Sequence, residues 1–183
     1  MTSTSRIVFF CDCHNFGFLI RELGDSLFGF MDDFYRRCGE CIASRGGRII
    51  KYLGDSILAV FPEDAAELAV AAGACARAEY AALVRALETD VESDLEVGIS
   101  CGPVQEGITG HESFRAFDVV GECVNQAAMI GHHRGIAVTG PVRARLSAAY
   151  ETRPLEPLNL KGAAEPLEVW EIVSGWIDGR PQG

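Results

Sequence analysis

The chain has 183 residues, 48% of them hydrophobic and 23% charged, and a formal net charge of −10. That size and composition describe one domain with a sizeable core and exclude wholesale disorder. The acidic balance repels phosphate backbones, which argues against nucleic acid as a partner, and no apolar run approaches the length of a membrane span.

Residues 6–11 (RIVFFC) form a short continuous apolar run, the pattern of a buried central strand. Residues 25–44 predict a helix, with Leu27, Met31, Phe34, Cys38 and Cys41 on one apolar stripe and Gly46-Gly47 ending it. Residues 48–53 and 56–61 predict a hairpin around Gly54-Asp55. Pro62 and the acids after it open a second, Ala-rich helix reaching about Leu87, with a stripe of Ala65, Leu68, Ala72 and Cys75. The acidic stretch 88–94 reads as a solvated loop. Residues 95–102 and 104–109 read as two strands around Gly102-Pro103. A helix is expected over 122–133, a strand over 135–139, a short helix over 142–149 and a closing strand over 167–173. This order fits an α+β sandwich better than a doubly wound sheet.

Two carboxylates stand out. Asp12 follows the first apolar strand directly, and Asp55 sits at a hairpin tip with apolar flanks. Each is held on rigid backbone beside a core. Brought together, two such groups suit Mg²⁺ or Mn²⁺, which take hard oxygen ligands and leave room for substrate phosphates. Each alone also fits an ordinary turn aspartate. Spacing by itself does not show that they meet.

Five blocks carry a resemblance: VFFCDCHNFGFL, GGRIIKYLGDSILAVF, VGISCGPVQEGITG, FDVVGECVNQAA and LKGAAEPLEVWEI. In this order they resemble a class III adenylate/guanylate (nucleotidyl) cyclase catalytic domain, with a core over about 6–173 of a single domain spanning 1–183. The resemblance implies a ferredoxin-like α+β sandwich. It also implies conversion of a nucleoside triphosphate to a 3′,5′-cyclic nucleotide and pyrophosphate, with two metal ions, Mg²⁺ or Mn²⁺, per site. Asp12 and Asp55 match the family's metal aspartates, with the Cys13 carbonyl as a third ligand and the backbone near Phe16 facing the phosphates. Lys51 and Asp118 match the base-reading pair, Asn125 the ribose-orienting asparagine, and Lys161 a loop near the phosphates. In such enzymes one chain brings the metal aspartates and the other the base and ribose contacts, so a homodimer with sites at its interface is implied.

The match has gaps. The family's Asn-x-Ala-Ala/Ser-Arg reads Asn125-Gln126-Ala127-Ala128-Met129 here. Methionine donates no hydrogen bond, and an arginine in phosphoryl transfer is worth roughly 10³–10⁵-fold in rate. Arg134, five residues on, is a candidate replacement; its other reading is a helix C-terminal cation. Asn15-Phe16-Gly17 stands for the usual Gly-Phe-Thr, Ala163 for a lysine, and Glu122 for an aspartate. An inactive homologue serving as a nucleotide- or partner-binding module is the competing reading.

Lys51 and Asp118 favour adenine, since an ammonium donates to ring N1 and a carboxylate accepts from the exocyclic amine. Cytosine offers a similar pattern. With no sensor domain in these 183 residues, the chain also resembles, by analogy, the pyrimidine (UTP/CTP) cyclases of anti-phage signalling, an antiviral defence.

The remaining features have plainer readings. The seven cysteines are odd in number and lie in apolar segments, so they read as reduced thiols of a cytoplasmic protein, and Cys38-Gly39-Glu40-Cys41 as core packing. The polar residues 1–6 do not form a secretory signal. His132-His133 reads as a helix-end cap, because no carboxylate accompanies it in sequence. Tyr52 alternates with Lys51 and is assigned to the core or an interface.

Overall fold

The computed structural model describes residues 3–87, 89–160, 165–177 and 180–182. Its centre is β1 (Ser3–Cys13), antiparallel to β3 (Ser56–Pro62) on one side and to β4 (Leu95–His111) on the other. The remaining strands are β2 (Arg48–Leu53), β5 (Phe114–Val120), β6 (Ile136–Thr139), β7 (Glu151–Pro154), β8 (Val169–Ile177) and β9 (Arg180–Gln182). Their order is β2-β3-β1-β4-β6-β8-β7, with β5 on β4 and β9 on β8.

Helices cover both faces of this sheet. On one face, Ile7, Phe9 and Cys11 of β1 pack into a core with α1 (Phe16–Leu23), α2 (Leu27–Ala43), α3 (Ala66–Arg85) and α5 (Gly140–Arg143). On the other, Val8 and Phe10 meet Cys123 and Ala127 of α4 (Glu122–Ile130). Burial on both faces is why residues 7–11 are apolar throughout rather than alternating. The mixed α+β class expected from the sequence is the one observed.

Gly98 lets α4 lie close to β4. A Cβ there would stand 2.1 Å from the Ala127 carbonyl oxygen. The close approach decides where the chain after α4 emerges, over the α4-side face of the sheet.

Several expectations need correction. β4 is continuous through Gly102-Pro103, because Pro103 falls between the stretch paired with β6 and the stretch paired with β5, where a missing N–H breaks no ladder. The helices expected to reach His133 and Ala149 end at Ile130 and Arg143. Leu68 is half exposed, and the buried face of α3 runs instead through Ala69, Ala72, Gly73, Ala76 and Tyr80. With so many alanines, one large side chain does not define the apolar side. The loop over 89–94 is irregular but docked: Ser93 Oγ donates to the His14 carbonyl, and Val91 packs on the core.

The thiol expectation also fails in part. Cys41 of α2 and Cys75 of α3 form a disulfide, their Cα atoms 5.7 Å apart. The two helices face each other, a proximity that sequence spacing does not reveal. Cys38 is core packing, as expected, and Cys11, Cys13, Cys38, Cys101 and Cys123 are free and buried. No helix among the described residues is long and apolar enough to cross a membrane.

Candidate active site

The site begins with strand register. Asp12 pairs with Ser56 on β3 and with Glu96 on β4, so three polar residues form a row across three central strands. All three belong to the face that α4 covers, since their strand neighbours Phe10, Leu58 and Gly98 meet that helix or its core. Ser56 Oγ donates to Asp12 Oδ1. Glu96 is 4% exposed, and its Oε1 lies 3.1 Å from His14 Nδ1.

Asp55 joins this row from the hairpin tip. Gly54 takes a left-handed φ of 65°, and Tyr35 Oη donates to its carbonyl, which pins the turn. The Cys13 N–H donates to the Asp55 carbonyl at 3.2 Å. Burial raises the Asp55 carboxyl above the ordinary carboxylate range, and the neighbouring Asp12 charge raises it further. Burial likewise raises Glu96, while His14 and His132 pull it down. The Cys13 side chain packs into the α2/α3 core, which leaves its main chain for the site.

The structure thus gathers carboxylates that repel one another. Hard oxygens gathered at one place, with Asp55 and Glu96 raised by burial, are the donor set that fits a divalent cation. Asp12, Glu96 and His132 each offer a ligand atom within 4.8 Å of the other two. His132 Nδ1 stands 3.5 Å from Asp12 Oδ2. The histidine read as a helix-end cap therefore does have a carboxylate beside it, brought from 120 positions earlier by the packing of α4. Glu96 escaped the sequence reading altogether. Its signal was a single acid inside the apolar run of a central strand (LEVGIS).

A second cluster forms at the sheet edge. Lys51 Nζ lies 2.7 Å from Asp118 Oδ2, although 67 residues separate them. A register shift between Ile49 and Lys51 breaks the regular pairing just before the lysine. The Arg48 guanidinium lies 3.6 Å from the Phe117 ring centroid and holds β2 against β5. Tyr52 points away from Lys51 and stacks on Tyr35 at 4.2 Å, partly exposed.

The other expected residues are dispersed. Asn125 and Met129 are exposed four positions apart, on one outer face of α4. Phe16 opens α1 two residues after β1, and its N–H and that of Gly17 precede the first bonds of the turn, in which the Phe18 N–H donates to the Asn15 carbonyl. Arg134 lines a hollow with Glu92, Ser93 and Asp94, at the β1 end that carries Asp12; the His14 N–H donates to the Asp94 carbonyl there. Lys161 lies outside the described residues.

Comparison with known proteins gives the family and the fold. The adenylate and guanylate cyclase catalytic domain family matches residues 2–174. The chain belongs to that family, whose members are phosphorus–oxygen lyases. It is similar to an adenylate cyclase of Anabaena cylindrica (26% identical; 93% of this chain, 37% of that protein). A terminal-differentiation-specific adenylate cyclase of Dictyostelium discoideum is 24% identical over 93% of this chain and 9% of its own. The chain thus spans well under half the length of these curated relatives. Among solved structures, the adenylyl cyclase CyaB of P. aeruginosa superposes with a TM-score of 0.86 (21% identical; 94% of this chain, 96% of that one). The guanylate cyclase domain of RhGC from Catenaria anguillulae, solved with GTP, gives 0.75 (18% identical; 96% and 100%). At these identities the structural likeness establishes the fold.

Proposed function

We propose that the chain cyclises a nucleoside triphosphate, ATP by preference, to its 3′,5′-cyclic monophosphate. The observation that carries the base preference is the Lys51–Asp118 pair. An ammonium and a carboxylate side by side match adenine, whose ring N1 accepts where the exocyclic amine donates. The ribose 3′-oxygen attacks the α-phosphorus, a new oxygen–phosphorus bond forms, the bond to the β-phosphate bridging oxygen breaks, and pyrophosphate leaves. The hydroxyl proton passes to solvent.

Asp12 and Asp55 would hold two divalent ions, Mg²⁺ or Mn²⁺, with the Cys13 carbonyl. Such ions supply charge for the entering and leaving oxygens. The chain's own part is placement. Tyr35 and Gly54 fix the Asp55 turn, Ser56 orients Asp12, and the first turn of α1 at Phe16 offers amides to the phosphates. Asn125 orients the ribose. Lys161, and Arg134 at the Asp12 end of β1, serve the phosphates.

We place the complete site between two copies of the chain. Ile108, Phe114 and Val120 lie on the β4–β5 hairpin that carries Asp118, and Leu53 on the strand that carries Lys51; all four are large exposed apolar side chains, as an interface requires. A nucleoside triphosphate substrate fits a cytoplasmic setting; the Cys41–Cys75 disulfide is unusual there.

One observation favours a second reading. Met129 is 48% exposed on the face shared with Asn125, where the family carries an arginine. A chain that binds nucleotide without turning it over would tolerate that residue. Metal-dependent pyrophosphate release separates the two. The enzyme reading expects release that drops at least about 10³-fold in Asp12→Ala and in Asp55→Ala. Release that persists in both variants contradicts it.

A further inference from the structure

We propose that Glu96 and His132 are protein ligands of the ion held by Asp12, making a mixed carboxylate–imidazole site that selects transition-metal ions over Mg²⁺. This rests on the reading of Asp12 as a metal ligand. It adds two ligands that the five resembling blocks do not contain, since Glu96 falls just before one block and His132 after another.

The geometry carries the assignment. Ser56 occupies Asp12 Oδ1, which leaves Oδ2 facing His132 Nδ1. Glu96 stands directly across the sheet from Asp12 and is buried, so its carboxylate must meet charge or hydrogen bonds inside the protein. His14 Nδ1 engages Oε1 and leaves Oε2 for an ion. A carboxylate held on one side by a histidine and open on the other is the arrangement of a metal ligand with an outer-shell partner. The three ligand atoms already fall within 4.8 Å of one another. An ion about 2.1 Å from each needs separations of roughly 3–4.2 Å, which a small closure supplies. His132 is largely exposed, so it can make that movement and the ion can enter beside it.

Placement follows from the fold. The row Ser56–Asp12–Glu96 is set by β-register, and Gly98 lets α4 come close enough to drop the next turn of chain onto it. The selectivity follows from donor type. Mg²⁺ takes oxygen and water and gains little from an imidazole. Along the Irving–Williams order the gain grows from Mn²⁺ to Co²⁺.

The test is calorimetric titration of the whole protein with Mg²⁺, Mn²⁺ and Co²⁺, without nucleotide. Wild type should bind Co²⁺ and Mn²⁺ more tightly than Mg²⁺. His132→Ala should lose at least about 10-fold in Co²⁺ affinity, less in Mn²⁺, and little in Mg²⁺. Glu96→Gln should weaken all three. Pulsed EPR of bound Mn²⁺ should show nitrogen coupling in wild type and none in His132→Asn, a variant that keeps size and polarity in case the alanine unfolds. Equal losses for all three ions in His132→Ala, or no loss, would overturn the assignment, as would Mn²⁺ without nitrogen coupling in wild type. The readout is independent of turnover. Metal binding that needs His132 in a protein without cyclase activity keeps this assignment and removes only the enzyme reading.

Discussion

The two sides of α4 are equipped in opposite ways. Beyond its C-terminus, His132 stands against Asp12, in a cluster with Glu96, His14 and Asp55. On its outer face, Asn125 is followed one turn later by Met129. The end near Asp12 carries more charged groups than two aspartates require, while the outer face has an uncharged side chain where the proposed function would use a phosphate-steadying cation. Buried carboxylates with raised pKa values weigh against folding unless something binds them. Their presence argues for an ion. An exposed methionine has no such cost, so folding neither requires nor opposes it. The physical evidence for function therefore sits at the end near Asp12.

Three substitutions sharpen the contrast. The largest effect is expected from Met129→Arg, which restores a cation to the deficient side. Single-turnover rates should rise at least about tenfold, within the 10³–10⁵-fold that an arginine contributes elsewhere. An unchanged rate would mean that another group, with Arg134 as the first candidate, already serves the phosphate. Next comes Lys51→Ala. It leaves Asp118 unpaired and removes the donor to adenine N1, so kcat/KM for ATP should fall about tenfold with that for GTP nearly unmoved. Equal losses for both nucleotides would deny Lys51 a base-reading role.

The smallest effect concerns stability without metal. The Asp55 carboxyl is raised in the folded protein, so folding holds its proton more tightly than the unfolded chain does. That stability is full at low pH and is lost as pH rises from the ordinary carboxylate value through the raised one. At pH 7 the metal-free protein bears this cost. Asp55→Asn removes it and should raise the melting temperature by about 1–3 °C at pH 7. The gain should disappear below pH 4. A lower melting temperature for the variant at pH 7 would show that the charge is compensated within the fold.

Much of the fold was legible because its central strands are buried on both faces. β1, the β2–β3 hairpin and β6 stand out as apolar runs bounded by turns. β5 and β7 were missed, since strands with exposed faces such as Phe114–Val120 mix polar and apolar residues. α1 was missed because its eight residues follow the strand after a two-residue turn. In the site, the resemblance pointed to Asp12, Asp55, Lys51 and Asp118, and the structure puts Asp12 close enough for its charge to raise Asp55 and pairs the last two. Glu96 and His132 were not legible as site residues. One depends on cross-strand register and the other on how closely Gly98 lets α4 approach, and neither distance is written in local sequence.

The most direct measurement is product identification. The purified protein is incubated with Mn²⁺ and, separately, ATP, GTP, CTP and UTP, and the products are identified by mass. The account predicts 3′,5′-cyclic AMP and pyrophosphate from ATP as the main reaction. Cyclic CMP or UMP in its place would keep the enzyme and overturn the base assignment drawn from Lys51 and Asp118. Four unreacted nucleotides at high protein concentration would contradict the account and leave a metal- and nucleotide-binding module, silenced at Met129.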